Sequence, residues 1–281
     1  MQGGWLSEQL SSLSIFGVVL TMLGSMLAAA FAGHLLRRLR SRHTPRRSEG
    51  ERIQESYLIG SMLGLLALLL AFSFAMGIDR YEERRRLVIL EANAIGTSYL
   101  RAQLLDEPHR TRLSSLLVAY TDNRLALGLG APGDQNARLA VDQKLLTEIW
   151  AAVVAARESA FTRGITVSLL ATYNELIDLN TERRVARVVR IPEPVLLLLF
   201  GFEVATAGVL GFFLEERRAW LGGGMLFLLL SLYVSIITDL NRPASGNIRE
   251  SQEPMRLLQQ SLKSQPPRVF DRFNAAELPV Q

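Results

Sequence analysis

The sequence predicts an all-α polytopic membrane protein, with four transmembrane helices set as two hairpins around a helical extramembrane segment. Three observations carry this. Four apolar stretches reach the ~20 residues that a helix needs to cross a hydrocarbon core about 30 Å thick. Residues 79–191, between the second and third stretches, are rich in helix formers and show no alternating strand pattern. Of the 281 residues 49% are hydrophobic but only 7% aromatic, so the apolar content is Leu, Ala, Val and Ile, which suits lipid-facing helices better than a compact enzyme core.

The first span runs from about Leu13 to Leu36 and ends in Arg37 and Arg38. It reads as a span rather than a signal peptide, because residues 1–12 carry no basic residue and the apolar run is too long. The second runs from about Tyr57 to Ile78, with no charge until Asp79. The third runs from Pro194 to Leu214, interrupted by Glu203, and the fourth from Ala219 to Thr238. Only Glu215, Glu216, Arg217 and Arg218 separate the last two, which predicts a tight hairpin. The chain thus divides into hairpin 1 (residues 1–78), the extramembrane segment (79–191), hairpin 2 (192–240) and a C-terminal tail (241–281). Gly60 and Gly64 in the second span, and Ala29 and Gly33 in the first, have small-xxx-small spacing. Such spacing lets helix backbones approach closely in lipid, and it fits packing within a subunit as readily as between subunits.

In the extramembrane segment the second span continues as helix through Asp79 to about Leu105, where Asp106-Glu107-Pro108 ends it. Leu113, Leu116, Leu117 and Tyr120 give the next helix an apolar stripe. Residues 128–134 read as a flexible connection, and an amphipathic helical stretch follows from about Asn136 to Arg190, with a break at Gly164. Pro192 and Pro194 end it at the membrane. The connection contains GxGxxG at Gly128, Gly130 and Gly133, but a helix precedes it and Pro132 sits inside it. A dinucleotide fingerprint needs a strand before it and a helix after it, so nucleotide binding is not expected.

Other chemistry is sparse. There are no cysteines, which excludes thiolate metal sites and a Cys nucleophile, and His34, His43 and His109 show no ligand spacing. With no paired catalytic carboxylates, Ser/His arrangement or P-loop, neither an enzyme nor a bound cofactor or metal is expected. The basic balance is nearly all arginine, clustered beside the spans, which reads as membrane-flanking charge rather than a nucleic-acid surface. Residues 37–56 carry seven arginines, nine with Arg217 and Arg218, against eight flanking the opposite span ends (Arg80, Arg84, Arg85, Arg86, Arg183, Arg184, Arg187 and Arg190). That count does not decide the orientation. Glu203 lies in mid-span, where a carboxylate costs a few kcal/mol or must protonate. A neutral hydrogen-bonded role and a proton- or cation-linked role both fit it.

Around the end of the second span the chain reads FSFAMGIDRYEERR over residues 72–85. This resembles the bestrophin family, in which a pore helix leaves the membrane through Phe-Arg and then Arg-aromatic-x-Glu-x-Arg. Phe72, Arg80, Tyr81, Glu83 and Arg85 match, while Ser73 stands where the family has an arginine and Ile78 where it has a tyrosine. The chain resembles the prokaryotic bestrophin-like domain family more closely, over nearly its whole length. That likeness rests on EANAIGTSYLR at 91–101, NELID at 174–178, DLNRPASG at 239–246, and Gln252 and Pro254.

The bestrophin resemblance implies a homopentamer in the plasma (inner) membrane with cytoplasmic termini, conducting inorganic anions. Its central pore would be lined by the second span. The implied neck positions are Gly64, Leu68 and Phe72, spaced i, i+4, i+8 on one helix face. Narrow rings of Leu and Phe gate ions by dewetting; Leu68 and Phe72 also fit ordinary lipid-facing or core positions. Arg80, Glu83 and Arg85 would attract anions or fix subunit contacts, and they also fit solvated or paired surface charge. A non-conducting scaffold or signalling protein would have the same four spans, with the second packed away from any water path.

Overall fold

The computed structural model describes residues 14–41, 49–130, 135–214, 217–243 and 246–273. Within them the chain forms α1 (Ile15–Ser41), α2 (Glu49–Ala102), α3 (His109–Gly128), α4 (Gln135–Ala155), α5 (Arg157–Thr162), α6 (Thr166–Val188), α7 (Glu193–Phe213), α8 (Arg217–Leu240) and α9 (Glu253–Ser264). A 3₁₀ turn, η1 (Pro267–Phe273), follows, and no strand occurs among the described residues. The N-terminal tail, Arg42, Arg46 and Arg47 of the first loop, Pro132 and Gly133 of the glycine-rich connection, and Glu215 and Glu216 of the second hairpin lie outside the described residues.

Among the described residues four helices are long and apolar enough to cross a bilayer: α1, α2, the helical run ending in α7, and α8. The chain gathers into two compact units, one of residues 1–81 and 189–249, the other of residues 82–188 and 250–281. In the first, the apolar faces of the spans build two clusters. Val18, Met22, Leu66, Leu70, Leu199 and Val234 belong to one, and Met26, Ala30, Ala207 and Phe227 to the other. Small residues set how closely α1 and α7 approach. A Cβ on Gly33 would stand 2.0 Å from the Gly208 carbonyl oxygen, and one on Gly211 2.0 Å from that of Ala30. The Ala29–Gly33 spacing therefore serves packing inside the subunit.

The connection after α8 is built from side chains that replace backbone partners. Asp239 accepts from the N–H groups of Asn247 (2.9 Å) and Ile248 (2.8 Å), and Asn241 Oδ1 accepts from Ile191 N–H at 2.7 Å. A Cβ on Gly246 would lie 2.6 Å from the Arg242 carbonyl oxygen. Only glycine lets this turn close, which gives the DLNRPASG block its physical reason.

The second unit has its own core of Ile95, Tyr99, Leu113, Leu117, Ile149, Leu169, Tyr173 and Met255. Two local details differ from the sequence expectation, and a third gives the geometry of a break that it placed. First, α2 ends at Ala102 rather than near Leu105, because residues 103–105 tighten into i→i+3 bonds, such as Leu105 N–H to Ala102 O at 3.2 Å. Second, the stretch from 136 to 190 breaks at Ala156 as well as at Gly164. Third, the turn at Gly164 is a Schellman closure: Ile165 N–H reaches Ala160 O at 3.0 Å and Gly164 N–H reaches Phe161 O at 3.0 Å, with Gly164 at φ +67°.

Candidate functional site

α2 has two faces in its membrane-spanning part. Leu66, Leu70, Ser73 and Gly77 are buried within the first unit. Gly60, Gly64, Leu68, Ala71, Phe72 and Ala75 point outward, with Leu68 50% and Phe72 62% exposed. A Cβ on Gly60 or Gly64 would meet nothing within 4 Å. The two small-residue pairs, alike in sequence, thus have different surroundings. That of α1 is filled by α7, and that of α2 is open. Only 17% of the most apolar window of this span is buried, against 39% for the run ending in α7.

Beyond the span, Arg80 is exposed. Arg85 pairs with Glu82 at 3.4 Å, and Glu83 accepts two bonds from Arg86 at 2.8 and 2.9 Å, so the pairing runs i to i+3 and Glu83 does not meet Arg85. Both pairs lie about half exposed, where an ion pair contributes only ~0–1 kcal/mol. The arginine between them behaves differently. Arg84, grouped in the sequence with surface charge, is buried, its Nε 3.8 Å from a Glu250 carboxylate that Arg187 also approaches at 3.8 Å.

Glu203 is fully buried in α7, and neither carboxylate oxygen meets a hydrogen-bond partner among the described residues. His34 packs edge-on against Trp220, with ring centroids 5.3 Å apart.

The densest polar chemistry is a buried network that sequence reasoning did not assemble. Glu91 of α2, 0% exposed, accepts from the Tyr120 hydroxyl at 2.8 Å, from Arg124 at 3.0 Å, and from Arg183. Asp142 of α4 receives Asn180 at 2.6 Å and Arg124 at 3.3 Å, and Asn180 also donates to the Tyr120 oxygen at 2.9 Å. Burial, and after it the Glu91 carboxylate, push the Tyr120 hydroxyl well above its ordinary range, so it remains a donor. Burial opposes the charge on Arg124, but Glu91, Tyr120 and Asp142 outweigh it and raise its pKa. Two guanidiniums against two carboxylates balance the buried charge across α2, α3, α4 and α6. Gln252 joins at the edge, accepting from Arg183 at 3.4 Å. A Cβ on Gly128 would fall 2.3 Å from Gln252 Oε1. The first glycine of GxGxxG therefore makes room for a side chain, and the second, Gly130 at φ +62°, caps α3. The signal in the sequence was the pair of blocks holding Glu91 and Gln252; nothing local linked them to Arg124 and Arg183.

Four apolar spanning helices, joined to a helical extramembrane unit locked by buried charge, define a polytopic helical membrane protein. The family model for the bestrophin-like domain matches residues 24–255, and the chain belongs to that family. Among curated proteins none matches by sequence. Solved structures share the fold. One mutant of a bacterial bestrophin homologue from Klebsiella pneumoniae superposes with a TM-score of 0.63 at 15% identity, over 88% of this chain and 98% of that one. Another mutant from Klebsiella pneumoniae gives 0.62 at 14% identity, over 90% and 98%. A structure described as a membrane protein gives 0.60 at 17% identity, over 90% and 98%.

Proposed function

We propose that the protein is a homo-oligomeric, anion-conducting channel of the plasma (inner) membrane, with the second span around a central axis. The observation that carries this is the outward face of α2, where Gly60, Gly64, Leu68 and Phe72 are left uncovered by their own subunit. Other copies of the same helix around a shared axis would cover that face in part and turn Leu68 and Phe72 into an apolar neck, with Gly64 leaving a wider opening. A narrow apolar ring offers no ligands to replace ion hydration, so it controls passage by wetting. Arg80, exposed one helical turn beyond the apolar run, would supply a positive field that favours anions. Exposed polar residues of the family blocks, Asn93 on α2 and Asn174 and Asp178 on α6, offer contacts to a neighbouring copy.

Anion flux from liposomes reconstituted with wild-type, Leu68→Ala and Phe72→Ala protein tests the reading. Both substitutions widen the apolar constriction and are expected to raise flux. If both variants fold and neither changes flux, the neck assignment is wrong and the scaffold reading stands ahead.

A further inference from the structure

Glu203 has no part in the outward face of α2, in the extramembrane network or in the close approach of α1 and α7. It is the one titratable residue between Pro194 and Leu214, and it stands in the middle of α7, fully buried. Leu199 and Phe200, one turn before it, join the apolar cluster around Val18 and Leu66, and Ala207, one turn after it, joins the cluster around Met26 and Phe227. The carboxyl group is thus set where two apolar cores of the same unit succeed each other along α7. Neither of its oxygens meets a hydrogen-bond partner among the described residues. A lone ionised carboxylate is far too costly in such a place, so something must remove its charge.

The surroundings decide what can do so. The other spans carry no Arg, Lys, Asp or Glu over residues 15–36, 57–78 and 219–238. Their titratable side chains are engaged or lie away from Glu203. His34 packs on Trp220 and follows Gly33, which meets Gly208 and Phe212, more than a turn beyond Glu203. Tyr233 packs on Phe74, with ring centroids 5.5 Å apart, and Tyr57 is exposed. A metal ion needs several oxygen ligands, and intramembrane cation sites draw them from unwound backbone. Here α1, α2, α7 and α8 are unbroken through the spans, so their carbonyls are taken up within the helices. The buried hydroxyls of Thr206, Ser231 and Thr238 each donate to a carbonyl one turn back in their own helix, at 2.7, 2.8 and 2.9 Å. Nor does any group of three or more His, Cys, Asp or Glu gather among the described residues. A proton needs no such shell, because it binds one carboxylate oxygen covalently.

We infer that Glu203 is a proton-binding site inside the membrane, holding its proton at neutral pH where a cation or an arginine would otherwise be required. The inference rests on packing within one subunit and is independent of conduction. Infrared spectroscopy of the full chain in lipid discs reads it directly, at neutral pH in buffer free of metal ions. The protein is expected to show a protonated-carboxyl C=O band at the high-frequency end of its range, where groups without hydrogen bonds absorb. That band should move to lower frequency in heavy water, shift again when the glutamates are carbon-13 labelled, and be missing from Glu203→Gln. The amide is neutral and of the same shape, so Glu203→Gln should also unfold at the wild-type temperature. Glu203→Asp provides a second assignment that does not need the Gln variant to fold, since its band should no longer respond to labelled glutamate. A folded wild-type protein with no such band, its carboxyl groups all absorbing as carboxylates, overturns the site. Loss of the band on adding sodium or calcium chloride at constant pH overturns it in favour of a cation. A band that persists in a folded Glu203→Gln variant overturns it as well.

Discussion

Glu91 shows how much a single residue can hold. Its carboxylate takes a hydroxyl and two guanidiniums from α3 and α6 in a place closed to water. Buried ion pairs are poor evidence of net stability, because desolvation offsets much of the attraction, yet removing one partner strands the others. Glu91→Gln leaves Arg124 with Asp142 alone and Arg183 with the Gln252 amide oxygen. We expect a loss of about 3–5 kcal/mol, seen as a lowered thermal midpoint of the near-ultraviolet dichroism. Adding Arg183→Met to that variant should recover part of the loss, since it removes one stranded charge. A single variant that melts like the wild type would show that the network does not hold this unit together.

At the scale of helices, contact distance separates two glycine pairs of similar spelling. Gly211→Ala drives a methyl group into the Ala30 backbone, and neither partner is a side chain that can swing away. α1 and α7 must part, at a cost of about 1–3 kcal/mol. Gly64→Ala adds its methyl to open space and should leave the subunit's stability unchanged or raised by up to about 1 kcal/mol. Comparative thermal unfolding in detergent checks both, and a Gly211→Ala protein as stable as the wild type would contradict the close approach. The C-terminal η1 turn makes a pH-dependent contact of a different kind. Asp271 receives two bonds from Arg110, at 2.6 and 2.9 Å, and that guanidinium holds the Asp271 carboxyl below its usual value. A depressed carboxyl favours the folded contact above its unfolded pKa of about 3.9, and the contribution disappears as pH falls through the lowered native value. Protection of the residue 267–273 amides, measured against their intrinsic exchange rate at each pH, should therefore stay constant from neutral pH down to that range and fall below it. Asp271→Asn should show the lowered protection already at neutral pH.

For the whole molecule, the open faces of the spans matter more than the exposed charges. The Arg85–Glu82 and Arg86–Glu83 pairs are half exposed, so salt screens them and each adds little. A ring held by them would come apart at high ionic strength. One held by the apolar, small-residue face of α2 would survive. Cyclic closure needs no further component, and we expect native mass spectrometry of the complex in mild detergent to show five subunits at high salt. A monomer or dimer under several gentle conditions would remove the shared axis that conduction requires.

Short stretches of this chain settle some of its features without help from the rest. Apolar runs long enough to cross a bilayer set the four spans, because a backbone in lipid must satisfy its own hydrogen bonds and a helix does so locally. Gly164 and Pro192 mark breaks because their own dihedral preferences require them. Tertiary structure decided which of several similar residues does what. Arg80, Arg84 and Arg85 are near neighbours on one helix, yet only Arg84 is buried, because Glu250 returns to it from far along the chain. Arg183 reads as span-flanking charge until Glu91, 92 residues away, accepts its guanidinium. The Gly33 and Gly64 spacings look alike, and only α7 against one of them tells the two apart. A helix's pattern of residues sets which faces it offers, but what covers a face depends on chain brought back from elsewhere, and that is a property of the folded molecule.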